Sequence, residues 1–492
     1  MPNTKTYEYS ITLTCVCCVV GGRGVQILRA EITTMNSNLV PTRTPTLLIS
    51  CHCGAAKQTV RLCAQSSDAP QEVSLCHCSA CRHNTGLLCV SYVDIEPPGS
   101  LEGLVEYRSS GAEVTRFFCA TCGCHVFRRF ESLAEDDTST RASDGIVTGT
   151  AEKQGSWAVA TGVITGLQKE DEELDERGTE MLMRYARHIN TAGTKDGGLG
   201  LFIELGVDDR THLPLSSTGC EKGTAGGSDT NVEVKTFSGY NNSEGKEEEI
   251  LNAFCHCKAV QFHITRPNET SKIPRSNFPD LMVPYHTRSP QVQNPEDKKW
   301  WLRPHLNSTH GETEPLTTEK DGLQRYLAGT CACASCRLTS GFEIQTWAFI
   351  PRANIFFHIR DDSTSSSAAE LHATNTTQRV VPVDFATLPP GILTSYESSQ
   401  GVRREFCSSC GATVFWRDRW RPELMDVSVG LLDADEGARA ETWLDWWTGR
   451  VSFAEDAVTG RTGVMARTAK LLIDSLGAGL DRWGKQEETP KR

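Results

Sequence analysis

The chain has 492 residues, a length that suits roughly two to four domains of ordinary size. Its formal net charge is −12, from 62 acidic and 50 basic residues, which argues against a nucleic-acid partner, because phosphate binding needs clustered Lys and Arg. No apolar run reaches the roughly 20 residues of a membrane span, and Ile11 to Val20, the longest near the start, has neither a basic leader nor a small-residue cleavage site. This predicts a chain of the cytosol or nucleus, with no membrane partner.

In chain order, residues 1–45 form an N-terminal extension without a periodic pattern. Its Cys15, Cys17 and Cys18 look like a ligand group but have no matched partner. From Cys51 the sequence reads Cys-His-Cys-Gly, then Cys76-His-Cys78-Ser-Ala-Cys81-Arg82 with Gly86 after it, then Cys119-Ala-Thr-Cys122-Gly123. From Cys255 it reads Cys-His-Cys-Lys, then Cys331-Ala-Cys333-Ala-Ser-Cys336-Arg337 with Gly341 after it, then Cys407-Ser-Ser-Cys410-Gly411. Three clusters in the same order, with matching flanks such as Val126-Phe127 and Val414-Phe415, mark a tandem repeat.

The first repeat is placed at 46–210 and the second at 251–485, separated by a Gly/Ser/Thr/Glu-rich flexible linker at 211–250. Polar insertions fall near 267–321 and 361–377. Short β-runs dominate, among them Leu104-Val-Glu-Tyr, Val114-Thr-Arg-Phe-Phe and Glu343-Ile-Gln-Thr-Trp. One helix is expected over Val464 to Trp483, where Val464, Leu472, Leu476 and Leu480 share a face weakened by Gly477 and Gly479. Glu170 to His188 is expected to form another.

In a long chain, cysteines grouped as C-x-C and C-x-x-C favour metal thiolates over disulfides. Two such pairs complete a tetrahedral zinc site. The outer pairs supply them: Cys51, Cys53, Cys119 and Cys122 in the first repeat, and Cys255, Cys257, Cys407 and Cys410 in the second. The central trios, Cys76, Cys78, Cys81 and Cys331, Cys333, Cys336, leave a fourth position for a guest, the pattern of a reactive zinc. Two other readings stay open for the trios: a second structural zinc completed by His77, His83 or Cys89, and an empty or disulfide-linked trio. Arg82 and Arg337, next to the third ligand, offset the excess negative charge, bind a substrate carboxylate, or serve as ordinary salt-bridge partners. Cys63, Cys89, Cys124 and Cys220 read as plain cysteines.

These motifs resemble the glutathione-dependent formaldehyde-activating enzyme family, which also includes the centromere protein V type. The likeness rests on C-x-C-G, C-x-C-x-x-C-R with a following glycine, and C-x-x-C-G. It covers roughly Leu47 to Thr165 and Phe254 to Phe453, with His188 and Thr194-Lys-Asp-Gly-Gly198 resembling the tail segment of such domains. The resemblance implies two tandem zinc-stabilised β-tent domains in a mostly β fold with a C-terminal helix. It implies up to two Zn²⁺ per domain, structural at the outer four cysteines and substrate-binding at the central three. It further implies a carbon–sulfur lyase acting on a glutathione–aldehyde adduct such as S-hydroxymethylglutathione. Lys258 in place of a glycine, the long intervals of the second repeat, and Ala332 and Ala334 in place of His77 and Ser79 depart from the first repeat without touching a ligand. The rival readings are a non-catalytic zinc module for protein or chromatin contact, and a dithiol oxidoreductase.

Overall fold

A computed structural model describes residues 44–63, 70–108, 114–131, 155–168, 182–204, 215–216, 240–241, 247–277, 294–303, 324–360 and 378–488. Cys15, Cys17, Cys18, Cys220 and most of the expected linker lie outside these residues. Residues 44–492 form one compact unit. The architecture is mostly β, as expected from the short alternating runs.

In the first half the strands are β1 (Thr46–Ile49), β2 (Gln58–Arg61), β3 (Gln71–Cys76), β4 (Val90–Ile95), β5 (Leu104–Arg108), β6 (Val114–Cys119), β7 (His125–Phe130), β8 (Ser156–Ala160), β9 (Ile164–Leu167) and β10 (Met183–Ile189). A short helix, α1 (Ser79–Thr85), follows β3. They build a small sheet in the order β2-β1-β9 and a large one containing β10-β3-β4-β8-β7-β6-β5. Three two-residue strands follow, β11 (Leu215–Ser216), β12 (Tyr240–Asn241) and β13 (Glu247–Glu248).

The second half begins with β14 (Ile250–Phe254), β15 (Gln261–Thr265), β16 (Leu302–Arg303), β17 (Arg325–Cys331) and the helix α2 (Ala334–Ser340). It continues with β18 (Gln345–Pro351), β19 (Ile355–Arg360), β20 (Gln378–Pro382), β21 (Leu393–Ser399), β22 (Val402–Cys407), β23 (Thr413–Asp418), β24 (Leu424–Ser428), β25 (Leu432–Asp433) and β26 (Leu444–Trp446). Here β15-β14-β25 repeats the small sheet, with β19 and β20 added at its edge. The order β17-β18-β24-β23-β22-β21 repeats the large one, with β26 beside β17. Both large sheets are antiparallel except at one edge each, where in the first β11 also runs parallel to β10. There β10 and β26 run parallel to β3 and β17, the strands that lead into the helices.

The expectation of a helix over Glu170 to His188 is corrected where it can be seen. Met183–Ile189 is a strand in register with Gln71–Cys76, and Met183, Tyr185 and His188 are buried along it. Their alternation, interrupted by the register shift between Tyr185 and Arg187, and the pairing with β3 override the helical propensity of the acidic run before them. The C-terminal helix is present as α3 (Gly463–Glu488), and Val464, Leu472, Leu476 and Leu480 are all buried. Gly479 is a packing position: a Cβ there would collide with the Phe202 carbonyl, and Trp483 stacks on the Phe202 ring at 4.7 Å. No helix among the described residues is long and apolar enough to cross a membrane. The described parts of the first insertion are not idle, because Trp300 and Trp301 form a small core with Leu327, Phe349 and Leu424.

The two halves meet through reciprocal contacts. The Gly162 amide donates to the Gly341 carbonyl at 2.9 Å, and the Gly430 amide to the Gly86 carbonyl at 3.0 Å. His52 N donates to Leu338 O at 2.9 Å, and His256 N to His83 O at 2.9 Å. Phe118 and Phe406 meet edge to face, each lying against the glycine after the other half's last cysteine. Such paired exchanges describe an approximate two-fold relation within one chain. A buried ion pair reinforces it: Arg461 holds Glu343 through contacts of 2.7 and 2.8 Å and donates to the Thr161 and Ile164 carbonyls of the first half.

Gly86 and Gly341 end the two short helices with φ of +80° and +91°, and their α-hydrogens face the backbone of the opposite half. A Cβ on Gly86 would meet the Thr413 carbonyl, and one on Gly341 the His125 carbonyl. Gly54 has a similar φ of +83° with nothing nearby. Gly54→Ala should therefore cost about 1–2 kcal/mol, the ordinary penalty of the left-handed region. Gly86→Ala and Gly341→Ala should each cost clearly more in denaturant unfolding; equal losses at all three positions would contradict the close approach of the halves.

Candidate metal centre

Each outer tetrad is built from two turns brought together by the sheets. Cys51 and Cys53 lie in the turn after β1, while Cys119 closes β6 and Cys122 sits in the turn before β7. Gly54, Gly123 and Gly411 supply the positive φ these turns need. Lys258 adopts the same region at φ +61°, with its ammonium 2.9 Å from the centroid of the Phe254 ring. The missing glycine thus leaves the turn intact.

All four sulfurs of each tetrad lie within 4.8 Å of one another. Individual separations are 3.5 Å for Cys51–Cys53 and Cys53–Cys119, and 3.4 to 3.6 Å among Cys255, Cys257 and Cys407. A tetrahedron of Zn–S bonds near 2.3 Å has edges of about 3.8 Å, whereas a disulfide bond is about 2.05 Å long. The Ala56 amide donates to Cys51 Sγ at 3.4 Å and the Val260 amide to Cys255 Sγ at 3.3 Å. The sulfurs split their acidities: hydrogen bonds from Cys122 and Cys51 pull Cys119 down to about 2, while Cys51 is pushed up to about 11 by its bond with Cys119. Neighbouring buried thiols cannot all ionise unless a cation compensates them. A soft divalent ion fits this donor set.

The trios sit where β3 and β17 run into the short helices. Cys78 caps α1 and accepts from the Cys81 amide at 3.3 Å; Cys333 caps α2 and accepts from the Cys336 amide at 3.2 Å. The sulfurs of Cys76, Cys78 and Cys81 lie within 4.8 Å of one another, as do those of Cys331, Cys333 and Cys336. Among the described residues no further His, Cys, Asp or Glu ligand atom joins either trio. The three residues considered as a fourth ligand are engaged elsewhere. His77 Nε2 bonds His188 Nδ1 at 2.9 Å, and burial pulls the His77 ring down to about 3. His83 Nδ1 bonds the Phe254 carbonyl at 2.8 Å, and Cys89 is fully buried with its thiol pushed up to about 12.

The two arginines next to the third ligand part company. Arg337 spends its guanidinium on the Gly162 carbonyl of the first half and on Thr459 O, at 2.5 and 2.7 Å. Arg82 is buried, and burial lowers its pKa against the pull of Asp196, Asp433 and Cys78. Among the described hydrogen bonds, the guanidiniums that reach trio sulfurs are those of Arg404, at 3.5 Å from Cys336 Sγ through both Nη1 and Nη2, and Arg116, at 3.9 Å from Cys81 Sγ. Asn190 also donates to Cys76 Sγ at 3.3 Å. The repeat register carries a signal for the two arginines: each stands three residues before the first cysteine of the last cluster, in both halves.

The family model for the glutathione-dependent formaldehyde-activating enzyme matches residues 46–162 and 389–450. Over these residues the chain is similar to that family. The match takes in the first half's clusters and the last cluster of the second. The trio at Cys331–Cys336 and the pair at Cys255 and Cys257 lie outside it, yet show the same geometry. Searches of curated proteins and of solved structures return no match.

The tetrads join segments far apart in sequence, so breaking one should cost fold as well as metal. Cys122→Ser is expected to lower the unfolding midpoint strongly and to reduce bound metal. Cys78→Ser should lose metal from one trio with the midpoint nearly unchanged. Comparable destabilisation by both substitutions would contradict this division of labour.

Proposed function

We propose that the chain is a zinc-dependent carbon–sulfur lyase acting on the adduct of glutathione and formaldehyde, S-hydroxymethylglutathione. The observation that carries this reading is the pair of three-sulfur clusters that no fourth protein ligand completes among the described residues. Similarity to the family supplies the thiol and the aldehyde. In the condensing direction the glutathione S–H adds across the formaldehyde carbonyl. The C–S bond forms, the carbonyl π bond opens, and the thiol proton ends on the hydroxymethyl oxygen. The lyase direction reverses each of these changes.

The residues divide the work. The tetrads Cys51, Cys53, Cys119, Cys122 and Cys255, Cys257, Cys407, Cys410 hold the fold. The trios Cys76, Cys78, Cys81 and Cys331, Cys333, Cys336 hold the exchangeable ion, giving up to two zinc ions per half. Zinc on three thiolates supplies a fourth position at which an incoming thiol is held in its anionic form. Arg116 and Arg404 lay positive charge against the trio sulfurs and offset the negative charge that a further thiolate adds. Arg337, bound to carbonyls, serves the joint between the halves.

Cobalt-substituted protein tests the reading. Its sulfur-to-cobalt absorption bands should change on titration with millimolar glutathione and stay unchanged with S-methylglutathione, which has no free thiol. Bands indifferent to glutathione would leave a metal-binding interaction module in place of the lyase.

A further inference from the structure

The two trios are not equivalent, and the difference comes from the opposite half. In the second half Arg404 Nη2 donates to Ser335 Oγ at 3.0 Å while the same guanidinium touches Cys336 Sγ. Ser335 Oγ lies 3.2 Å from His52 Nε2, and His52 Nδ1 lies 2.8 Å from the Tyr396 hydroxyl. His52 belongs to the first half, between the tetrad cysteines Cys51 and Cys53. Arginine can only donate, so Ser335 Oγ accepts from it. Either histidine tautomer then completes the chain: Ser335 donates to His52 Nε2 and Nδ1–H to the Tyr396 oxygen, or Tyr396 donates to Nδ1 and Nε2–H to Ser335 Oγ.

The β21–β22 register explains how the chain closes on itself. Tyr396 pairs directly with Arg404, so both side chains stand on one face of the hairpin. The first half repeats the frame: Tyr107 pairs with Arg116 across β5 and β6, and the Tyr107 hydroxyl lies 2.6 Å from His256 Nδ1 of the second half. Where the second half has Ser335, the first has Ala80, which carries no hydroxyl. The arginine contact there is longer, 3.9 against 3.5 Å.

The surroundings of the sulfurs differ too. Asn190, at φ +60°, lays its amide on Cys76, while Phe453, at φ +54° in the matching place after Ser452, packs with Trp347 and Trp416 around the second trio. Both trios lie in apolar clusters, the first with Leu87, Val90, Tyr92 and Phe342, which strengthens a charge-assisted bond to sulfur in either; the asymmetry lies in the asparagine amide and the serine link.

We propose that Tyr396, His52 and Ser335 are positioning residues that hold Arg404 against Cys336, making the second-half trio the one that takes the thiol, with the first half supplying His52 from its own structural tetrad. This rests on the reading that a trio receives glutathione, and it deepens that reading by choosing between the trios. The first trio, lacking the serine link and carrying an asparagine amide on Cys76, then holds its metal without taking the thiol.

The test uses full-length cobalt-substituted protein. The glutathione-responsive change should correspond to one thiol per chain and should be lost in Cys336→Ser. Ser335→Ala should raise the Kd about tenfold, the effect of one lost charge-assisted hydrogen bond. Ser335→Thr, which keeps the hydroxyl, should restore it, and Tyr396→Phe should give a smaller rise. A response of two thiols per chain, one that survives Cys336→Ser, or one untouched by Ser335→Ala, would overturn the proposal. A second readout needs no thiol. A hydrogen bond to sulfur lowers its lone-pair energy, so loss of the Arg404 contact should move a sulfur-to-cobalt band to longer wavelength in Ser335→Ala and not in Ser335→Thr. If the wild-type bands ignored glutathione while this shift appeared, the thiol reading would fail and the positioning network would stand. No shift would overturn the network itself.

Discussion

Burying sulfur anions without a compensating cation is prohibitively costly, and this chain gathers fourteen cysteines into four buried or half-buried clusters. Everything else in the described structure is arranged around that constraint. Cys51 and Cys119, or Cys255 and Cys407, come from opposite ends of their half, so each tetrad fixes the small sheet against the β6–β7 or β22–β23 hairpin. The trios occupy the next corner, where a strand turns into a seven-residue helix. Helices this short have little stability of their own. Cap bonds to cysteine sulfur, the terminal glycines and the opposite half hold them in place.

The opposite half matters as much as the metal. Each short helix ends against backbone supplied by its counterpart, through the Gly162–Gly341 and Gly86–Gly430 bonds. His52 and His256 each reach across to the other side. The two halves therefore resemble the subunits of a two-fold dimer joined in one chain. Joining them also permits what a symmetric dimer forbids: a serine on one side and an alanine on the other, Glu343 opposite Leu88, asparagine opposite phenylalanine. Asymmetry of this kind lets one site specialise while the other keeps the scaffold.

The sequence makes some of this legible and hides the rest for identifiable reasons. Ligands contributed by one turn recur as short C-x-C and C-x-x-C motifs, so the cysteine clusters and their order are read directly, and the structure gathers the same fourteen residues. Short β-runs such as Val114 to Phe118 mark their strands, and the stripe Val464, Leu472, Leu476, Leu480 marks the last helix. What failed depended on partners distant in sequence. The strand at Met183–Ile189 exists because it pairs with β3, more than a hundred residues earlier. Arg337 was placed at the ion because it follows a ligand; its helix instead points it toward the other half. Ser335 carries no local signal of chemistry and Arg404 only its repeated place three residues before Cys407, since their meeting requires the β21–β22 register, helix α2 and a histidine from residue 52. Gly479 looked like a helix breaker because the Phe202 backbone it accommodates is invisible in a local window.

The central claim is that the four sulfur clusters are two kinds of zinc site, closed tetrads and open trios. X-ray absorption at the zinc edge, combined with elemental analysis of the purified full-length chain, measures this most directly. The account predicts four zinc ions per chain and a mean coordination of about 3.5 sulfurs before any thiol is added, from two sites with four and two with three. Two zinc ions per chain, each with four sulfurs, would show that the trios hold no metal and would contradict it.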